Sequence, residues 1–309
     1  MKTICLYFEI HQIIHLKRYR FFDIGTDHYY YDDYENERSI TDIAERSYMP
    51  ALTAISDMIA QHGKYFKVAF SLSGTGIEQL EYHAPQVIAK LQELAQTGCV
   101  EFLAEPYSHG LSSLANEETF ALDVKKQCAK IEELFGQKPT VARNSSLIYS
   151  DDIGSQIAAM GFKGMLTEGA KHVLGWKSPH YVYNCNIAPN LKLLLRDVEL
   201  SDDISLRFNN AEWEGYPLFA DAYIDRISRF PEEEKIINIF MDVGPRYRPA
   251  TLQQYSGVPE GTAHLRQGEG YRLRHTDGDL HEGAQRRCRR RTRHSFLGGR
   301  GARLLLLAR

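Results

Sequence analysis

The sequence predicts an α/β fold, an incomplete parallel (β/α)7 barrel, over residues 1–242. Short apolar runs alternate along the chain with segments in which apolar residues recur at helical spacing, a pattern typical of parallel strands joined by crossover helices. Seven such runs favour a barrel over an open sheet, and an abrupt change of composition after residue 242 sets the limit of the fold. The predicted strands cover residues 3–10, 65–71, 99–104, 139–143, 163–167, 191–196 and 236–241.

Helices are predicted between these strands. Thr75 and Glu78 have the spacing of a capping box, which predicts a helix start at that point. Gly136 and Gly161 each follow a periodic segment, and glycine readily takes the left-handed conformation that ends a helix. The predicted helices cover residues 40–60, 75–97, 115–135 and 151–160.

Residues 243–309 differ in composition from the rest of the chain. They contain 14 Arg, no Lys and five acidic residues, whereas residues 1–242 contain 23 basic and 35 acidic residues. They also lack Ile, Asn, Met and Trp and hold ten of the 23 glycines. Three interpretations of this Arg/Gly-rich tail are possible: a basic arm that binds nucleic acid, a disordered segment, or the product of the same gene read in a shifted frame. The shifted frame explains all of these changes together, so we expect no packed domain and no nucleic-acid partner.

Composition excludes several classes of function. Hydrophobic residues make up 43% and charged residues 25% of the 309, as in globular proteins. No apolar stretch is long enough to span a membrane, and the amino terminus lacks a secretory cleavage site. The five cysteines form no CxxC pair, and no GxGxxG motif or P-loop is present. We therefore expect a cytoplasmic protein without a metal, cofactor or membrane partner.

Polar residues that can take part in catalysis or ligand binding follow the predicted strands. In parallel barrels the reactive groups gather at the carboxyl ends of the strands. Carboxylates can transfer protons, and His and Arg can bind hydroxyl groups, so this set predicts a site for sugars. The residues concerned are His11, Gln12, Ser71 to Ser73, Glu105, His109, Arg143, Asn144, Ser145, Ser146, Glu168, Asp202, Asp203 and Asp242.

Some of these residues also have a purely structural interpretation. Glu101 lies inside a strand and could pair with a buried cation, and Asp202 could cap a helix. Trp213 is either a core residue or an aromatic platform that stacks on a sugar ring. The prediction of a sugar site therefore depends on the pattern over all strand ends.

Four segments together resemble glycoside hydrolase family 57. His11-Gln12 is similar to the opening HQ motif of that family, and residues 98–105 with His109 resemble its second conserved region. Residues 143–149, RNSSLIY, stand where the third region carries a catalytic glutamate. Residues 240–242, FMD, resemble the start of the fourth region, which continues in the family as DYETFG. The resemblance covers residues 1–242 and is greatest to the α-amylase group.

The resemblance implies a (β/α)7 barrel that acts on α-glucans by a retaining mechanism without a metal. In such a mechanism one carboxylate attacks the anomeric carbon while a second carboxyl group protonates the leaving oxygen. Carried over to this sequence, the acid/base position is Asp242 and the nucleophile position is Ser146. The residues assigned to substrate binding are His11, Gln12, Glu101, Glu105, His109, Arg143, Asn144 and Trp213.

The sequence departs from the family at the centre of this chemistry. Ser146 is uncharged at neutral pH and cannot stabilise an oxocarbenium-like transition state as a carboxylate does. Ile13 replaces the proline of the usual HQP motif, and the YETFG segment is missing after Asp242. We therefore expect a truncated barrel with impaired activity.

Three functions are compatible with these residues. The first is an impaired α-glucan hydrolase, and the second is a catalytically silent barrel that binds α-glucans or maltooligosaccharides. The third is a metal-dependent polysaccharide deacetylase, which needs an aspartate and paired histidines as metal ligands. No predicted strand ends in Asp-Asp-Gly, which argues against the third.

Overall fold

The computed structural model describes residues 2–243 and 272–273, and its centre is a parallel sheet curled into a barrel. Seven parallel strands form the barrel, and two short strands are added to it. The barrel strands are β1 (Thr3–Ile10), β2 (Val68–Leu72), β3 (Val100–Leu103), β4 (Val141–Arg143), β5 (Gly164–Glu168), β7 (Lys192–Arg196) and β8 (Ile236–Asp242). The additions are β6 (Tyr183–Asn184), antiparallel to β7, and β9 (Arg272–Leu273), parallel to the start of β1.

The strand order confirms the incomplete (β/α)7 barrel. The sheet runs β3-β2-β1-β8-β7-β5-β4, so β3 and β4 are its two ends. Ala104, just past β3, closes the ring: its N–H donates to the Val141 carbonyl at 3.0 Å, and its carbonyl accepts from the Arg143 N–H at 2.8 Å. The β7–β8 seam is also weak, with a single register pair between Arg196 and Asn238. All seven predicted strands are present.

Helices surround the barrel on its outer side. Between β1 and β2 the chain forms α1 (Asp33–Ile43) and α2 (Met49–His62), joined by a π-helical turn over Ala44–Tyr48. The remaining helices are α3 (Gly74–His83), α4 (Pro85–Gln96), α5 (Ser112–Ala115), α6 (Glu117–Phe135), α7 (Asp151–Ala159), α8 (Lys171–Leu174), α9 (Val198–Asp202) and α10 (Ala220–Ser228). Within residues 2–243, no helix has both the length and the apolarity needed to cross a bilayer.

Two details of the helix predictions are wrong. The N-cap of α3 is Ser73, whose hydroxyl accepts from the Gly76 N–H at 3.0 Å, rather than Thr75. The segment up to Gly98 is two helices rather than one, because Pro85 lacks the N–H that would continue α3 and instead starts α4. The predicted ends at Gly136 and Gly161 are confirmed, and both residues have positive φ, 66° and 91°.

The apolar core has an inner and an outer part. Inside the barrel, small and medium side chains such as Cys5, Ala69 and Leu194 pack with Tyr7. Outside, alternate residues of the same strands, such as Phe8 and Phe70, pack against the helices. This alternation follows from the period of two along a strand. It also directs the last inward-facing residue of several strands to the carboxyl end of the barrel.

The predictions for residues 243–309 fall almost wholly outside the described residues. Val243 is described, and its N–H donates to the Glu9 carbonyl at 2.9 Å. Arg272–Leu273 is described as the short strand β9. The absence of a packed domain in this tail therefore stays a prediction.

Candidate active site

A buried arginine connects the strand ends at the centre of the candidate site. Arg143 is the last residue of β4 and is 1% exposed. Its Nε donates to the Ser71 hydroxyl at 2.7 Å, and its Nη2 donates to the carboxylates of Glu9 and Glu105. The same Nη2 lies 3.1 Å from Nδ1 of His109. We call these five residues the Arg143 cluster; it joins β1, β2 and β4 to the segment after β3.

The electrostatics of this cluster fix the charges of Glu105 and Arg143. Burial alone would raise the pKa of Glu105, but the charge of Arg143 outweighs it and holds that pKa well below its ordinary value of 4.5. Burial would likewise lower the pKa of Arg143, and the charges of Glu105 and Glu9 raise it instead. Glu105 is therefore a permanent carboxylate that orients Arg143, and it is unsuited to act as a general acid near neutral pH.

Two histidines stack above this ion pair. The rings of His11 and His109 are 4.1 Å apart at an interplanar angle of 17°. Nδ1 of His11 lies 2.7 Å from the Ser73 hydroxyl. Burial first, and then the charge of His109, lowers the pKa of His11 to about 4. His11 is therefore a neutral imidazole at physiological pH, able to form hydrogen bonds without carrying charge.

The two positions assigned to catalysis follow β8 and β4. Asp242 ends β8, is exposed, and lies in register with Glu9 on the neighbouring strand β1. Ser146 is also exposed and has a left-handed backbone, with φ 52° and ψ 25°. Leu147 follows with φ 56°. Two consecutive left-handed residues other than glycine are costly, and such strain concentrates at functional sites.

Asn144 builds the turn that carries Ser146. Its amide oxygen accepts from the Ser145 N–H at 2.9 Å. Its amide nitrogen donates to the Ser113 hydroxyl at 2.8 Å and to the Ile148 carbonyl at 3.1 Å. All three bonds are buried, so Asn144 holds the turn in place, and its role in substrate binding stays a prediction.

Three further residues predicted to bind substrate, Gln12, Glu101 and Trp213, lie outside the Arg143 cluster. Gln12 follows β1 directly, and its carbonyl accepts from Gln79 at 3.0 Å. Glu101 is the second residue of β3, in register with Ala69, and so lies within the strand rather than at its end. Trp213 is half-buried in the segment between β7 and α10, with the guanidinium of Arg207 6.0 Å from its ring.

Glu168 and Asp202 belong to one buried ion cluster, and the buried carboxylate of Asp203 pairs with two partly exposed arginines. Arg196 at the end of β7 donates to Glu168 at 2.9 Å and to Asp202 at 2.5 Å. Asp203 receives hydrogen bonds from Arg207 and Arg226. Glu168 is therefore held by a cation in the same way as Glu105.

Sequence reasoning missed Glu9, whereas it placed Ser71 and Ser73 at the end of the second strand without giving either a role. The signal for Glu9 was its position, a lone carboxylate in the otherwise apolar strand β1 and on the same side as Cys5 and Tyr7. The hydrogen bonds of Ser71 and Ser73 had no local signal, because a buried serine is common and the partners Arg143 and His11 lie far away in sequence.

One group among the described residues could hold a metal ion. Ligand atoms of Glu9, Glu105 and His109 lie within 4.8 Å of one another. Nη2 of Arg143 donates to both carboxylates and lies 3.1 Å from Nδ1 of His109, so a guanidinium supplies positive charge at the point a cation would take. His11 and His15 have the HxxxH spacing of some metal sites, but His11 bonds to Ser73. The residues present therefore fit an arginine-centred ion cluster better than a metal centre.

The comparisons with known proteins agree with this fold. Residues 5–251 match the model of glycosyl hydrolase family 57. The chain therefore belongs to glycosyl hydrolase family 57. A protein of Methanocaldococcus jannaschii, provisionally described as an alpha-amylase, is 37% identical over 214 residues, which are 69% of this chain and 44% of that protein. The chain thus spans less than half the length of this curated relative.

Solved structures show the same fold at low identity. The 4-alpha-glucanotransferase of Thermococcus litoralis has a TM-score of 0.68 at 15% identity, over 93% of this chain and 41% of that one. The GH57-type branching enzyme of Pyrococcus horikoshii has a TM-score of 0.67 at 14% identity, over 92% and 72%. At this low identity the likenesses show the fold alone.

Proposed function

We propose that this barrel binds α-glucans at the carboxyl end of its strands and that its retaining hydrolytic chemistry is impaired. Membership of the family supports the substrate class, as do the names of the relatives, an alpha-amylase, a 4-alpha-glucanotransferase and a branching enzyme. The observation that carries the impairment is Ser146, an exposed hydroxyl on a strained turn where the family's pattern has a carboxylate.

In this proposal Asp242 retains the acid/base role. Its carboxyl group protonates the glycosidic oxygen as the bond to the anomeric carbon breaks. A carboxylate at position 146 would attack that carbon from the opposite face and form the glycosyl-enzyme intermediate. Ser146 offers no charge to the developing oxocarbenium ion, and a neutral hydroxyl is a weak nucleophile without a base beside it.

The neighbouring carboxylates do not replace the missing nucleophile. Glu105 and Glu168 are each bound to a buried arginine, Arg143 and Arg196, and are nearly inaccessible to solvent. An attack by either would take one of its two carboxylate partners from a buried guanidinium, which is costly. The proposal therefore expects glucan binding with hydrolysis near the background rate.

The test is a calorimetric titration of the full chain with maltooligosaccharides beside an assay of reducing ends. Binding without turnover supports the proposal. Absence of heat at millimolar maltoheptaose would refute glucan binding, and turnover of about 1–1000 per second, the range of ordinary enzymes, would refute impairment. Slow turnover that disappears in Asp242→Asn indicates an impaired hydrolase, whereas turnover equal in both chains indicates the silent barrel.

Chemical rescue tests the assigned geometry. With an aryl α-maltooligoside as substrate, azide can enter the space of the missing carboxylate and attack the anomeric carbon while Asp242 protonates the leaving oxygen. We expect azide to accelerate release of the aryl group and to give a glycosyl azide of inverted configuration. An azide effect that survives in Asp242→Asn would contradict the acid/base assignment, provided that the leaving group requires protonation.

A further inference from the structure

Ser73 occupies an unusual position beside the candidate site. It is fully buried and is the N-cap of α3, and its hydroxyl oxygen accepts from the Gly76 N–H at 3.0 Å. The same oxygen lies 2.7 Å from Nδ1 of His11. A Cβ added at Gly76 would come within 2.8 Å of this oxygen, so glycine at position 76 leaves room for the arrangement.

A count of hydrogens sets the direction of the bond to His11. A serine hydroxyl has one hydrogen to donate and two lone pairs to accept with. One lone pair is used by Gly76. Among the residues that the structure describes, Nδ1 of His11 is the acceptor within reach of the hydroxyl hydrogen. A buried hydroxyl normally donates, because an unsatisfied buried donor is costly.

We propose that Ser73 is a positioning residue that donates to Nδ1 of His11 and so fixes the imidazole as its Nε2–H tautomer. The neutral ring then has one hydrogen, on Nε2, and within residues 2–243 this atom has no hydrogen-bond partner. His11 therefore acts as a donor toward a ligand, and it selects an oxygen lone pair such as that of a sugar hydroxyl. This last step rests on the proposed glucan function, whereas the tautomer does not.

The surroundings keep the ring neutral. Burial and the stacked ring of His109 lower the pKa of His11 to about 4, Arg143 acts in the same direction, and Glu105 opposes them. The Ser73 hydroxyl adds a second constraint, because a donor at Nδ1 can bond to neutral His11 and not to the imidazolium. Both effects favour the same protonation state from about pH 5 upward.

The experiment is ¹⁵N–¹H correlation spectroscopy of the full chain with labelled histidine, in which His11 is assigned by its loss in His11→Asn. At pH 7 we expect a protonated Nε2 and an unprotonated Nδ1 for His11. A protonated Nδ1 in the unaltered protein would overturn the proposal. This measurement needs no glucan, so its outcome is independent of the proposed function.

Three variants separate positioning from capping. Ser73→Thr keeps both the cap and the donor, so His11 keeps its tautomer. Ser73→Asp keeps the cap but has no hydrogen to donate, so we expect the proton to move to Nδ1 or the ring to become charged. Ser150→Ala removes the equivalent cap of α7, where the hydroxyl accepts from Ile153 N–H at 3.2 Å, and leaves His11 unchanged. An unchanged His11 signal in Ser73→Asp would overturn the proposal.

Binding then tests the consequence for the ligand. We expect Ser73→Asp to weaken maltooligosaccharide binding about 5- to 10-fold and Ser73→Thr less than about 2-fold, the effect of one misplaced hydrogen bond. If the tautomer changes in Ser73→Asp and affinity does not, Ser73 still positions His11, and the donation from His11 to the glucan is refuted.

Discussion

Among the buried cations that bind two carboxylates each, Arg143 and His180 differ in whether the cation can lose its proton. Arg143 bonds to Glu9 and Glu105 beside the candidate site. His180 bonds to Asp197 through Nε2 and to Glu234 through Nδ1, both at 2.6 Å. A guanidinium stays charged at any pH at which proteins fold, whereas an imidazole titrates near neutrality.

The two clusters also differ in how completely their polar atoms are bonded. Both ring nitrogens of His180 have partners. In the Arg143 cluster, Nη1 of Arg143 and Oε1 of Glu105 are buried without a hydrogen-bond partner among the described residues. Fully bonded clusters serve stability, and incompletely bonded ones are typical of functional sites. The comparison therefore assigns His180 to the weak β7–β8 seam and Arg143 to the site.

Removal of Arg143 should have the largest effect. Arg143→Met leaves two carboxylates without their cation, so we expect the free energy of unfolding to fall by about 3–5 kcal/mol, as for other broken buried ion pairs. Urea denaturation measures this change. The matched control is Arg229→Met, since the pair of Arg229 with Asp225 is exposed and should be worth less than about 1 kcal/mol. Equal losses in the two variants would contradict the assigned role of Arg143.

The His180 cluster should make stability depend on pH. Burial lowers the pKa of His180, but Asp197 and Glu234 outweigh it, and the net pKa lies above its ordinary value of 6.5. The resulting stabilisation is complete below about pH 6.5, the pKa in the unfolded chain, and is lost as pH rises through the higher folded pKa. We expect His180→Gln to be less stable than the unaltered protein at pH 6, with a smaller difference at pH 9. A difference that is constant over this range would show that His180 does not titrate.

The smallest effect on stability is expected when one carboxylate of each cluster is replaced by its amide. Glu234→Gln removes one charge from His180 and should move its titration to lower pH, with a stability loss of about 1 kcal/mol at pH 6. Glu9→Gln should leave the stability profile between pH 6 and 9 unchanged in shape, because Arg143 remains charged. Stability measured across this pH range in both variants checks the contrast, and a shifted profile in Glu9→Gln would break it.

The strands could be predicted because each is a short apolar run with helical segments on both sides. The same pattern placed His11, Glu105, Arg143 and Asp242 at one end of the barrel. The N-cap of α3 could not be chosen, since Ser73 and Thr75 are both good caps and the path of the chain leaving β2 decides between them. The His180 cluster had no local signal, because Glu234 lies 54 residues away along the chain.

The turnover number of the full chain on maltoheptaose shows whether the barrel binds α-glucans without a competent nucleophile. It is measured at a concentration that calorimetry shows to be saturating. We expect saturable binding and a rate at least about a thousandfold below the 1–1000 per second of ordinary enzymes. Turnover within that range, with Ser146 in place, would show that the barrel has a competent nucleophile.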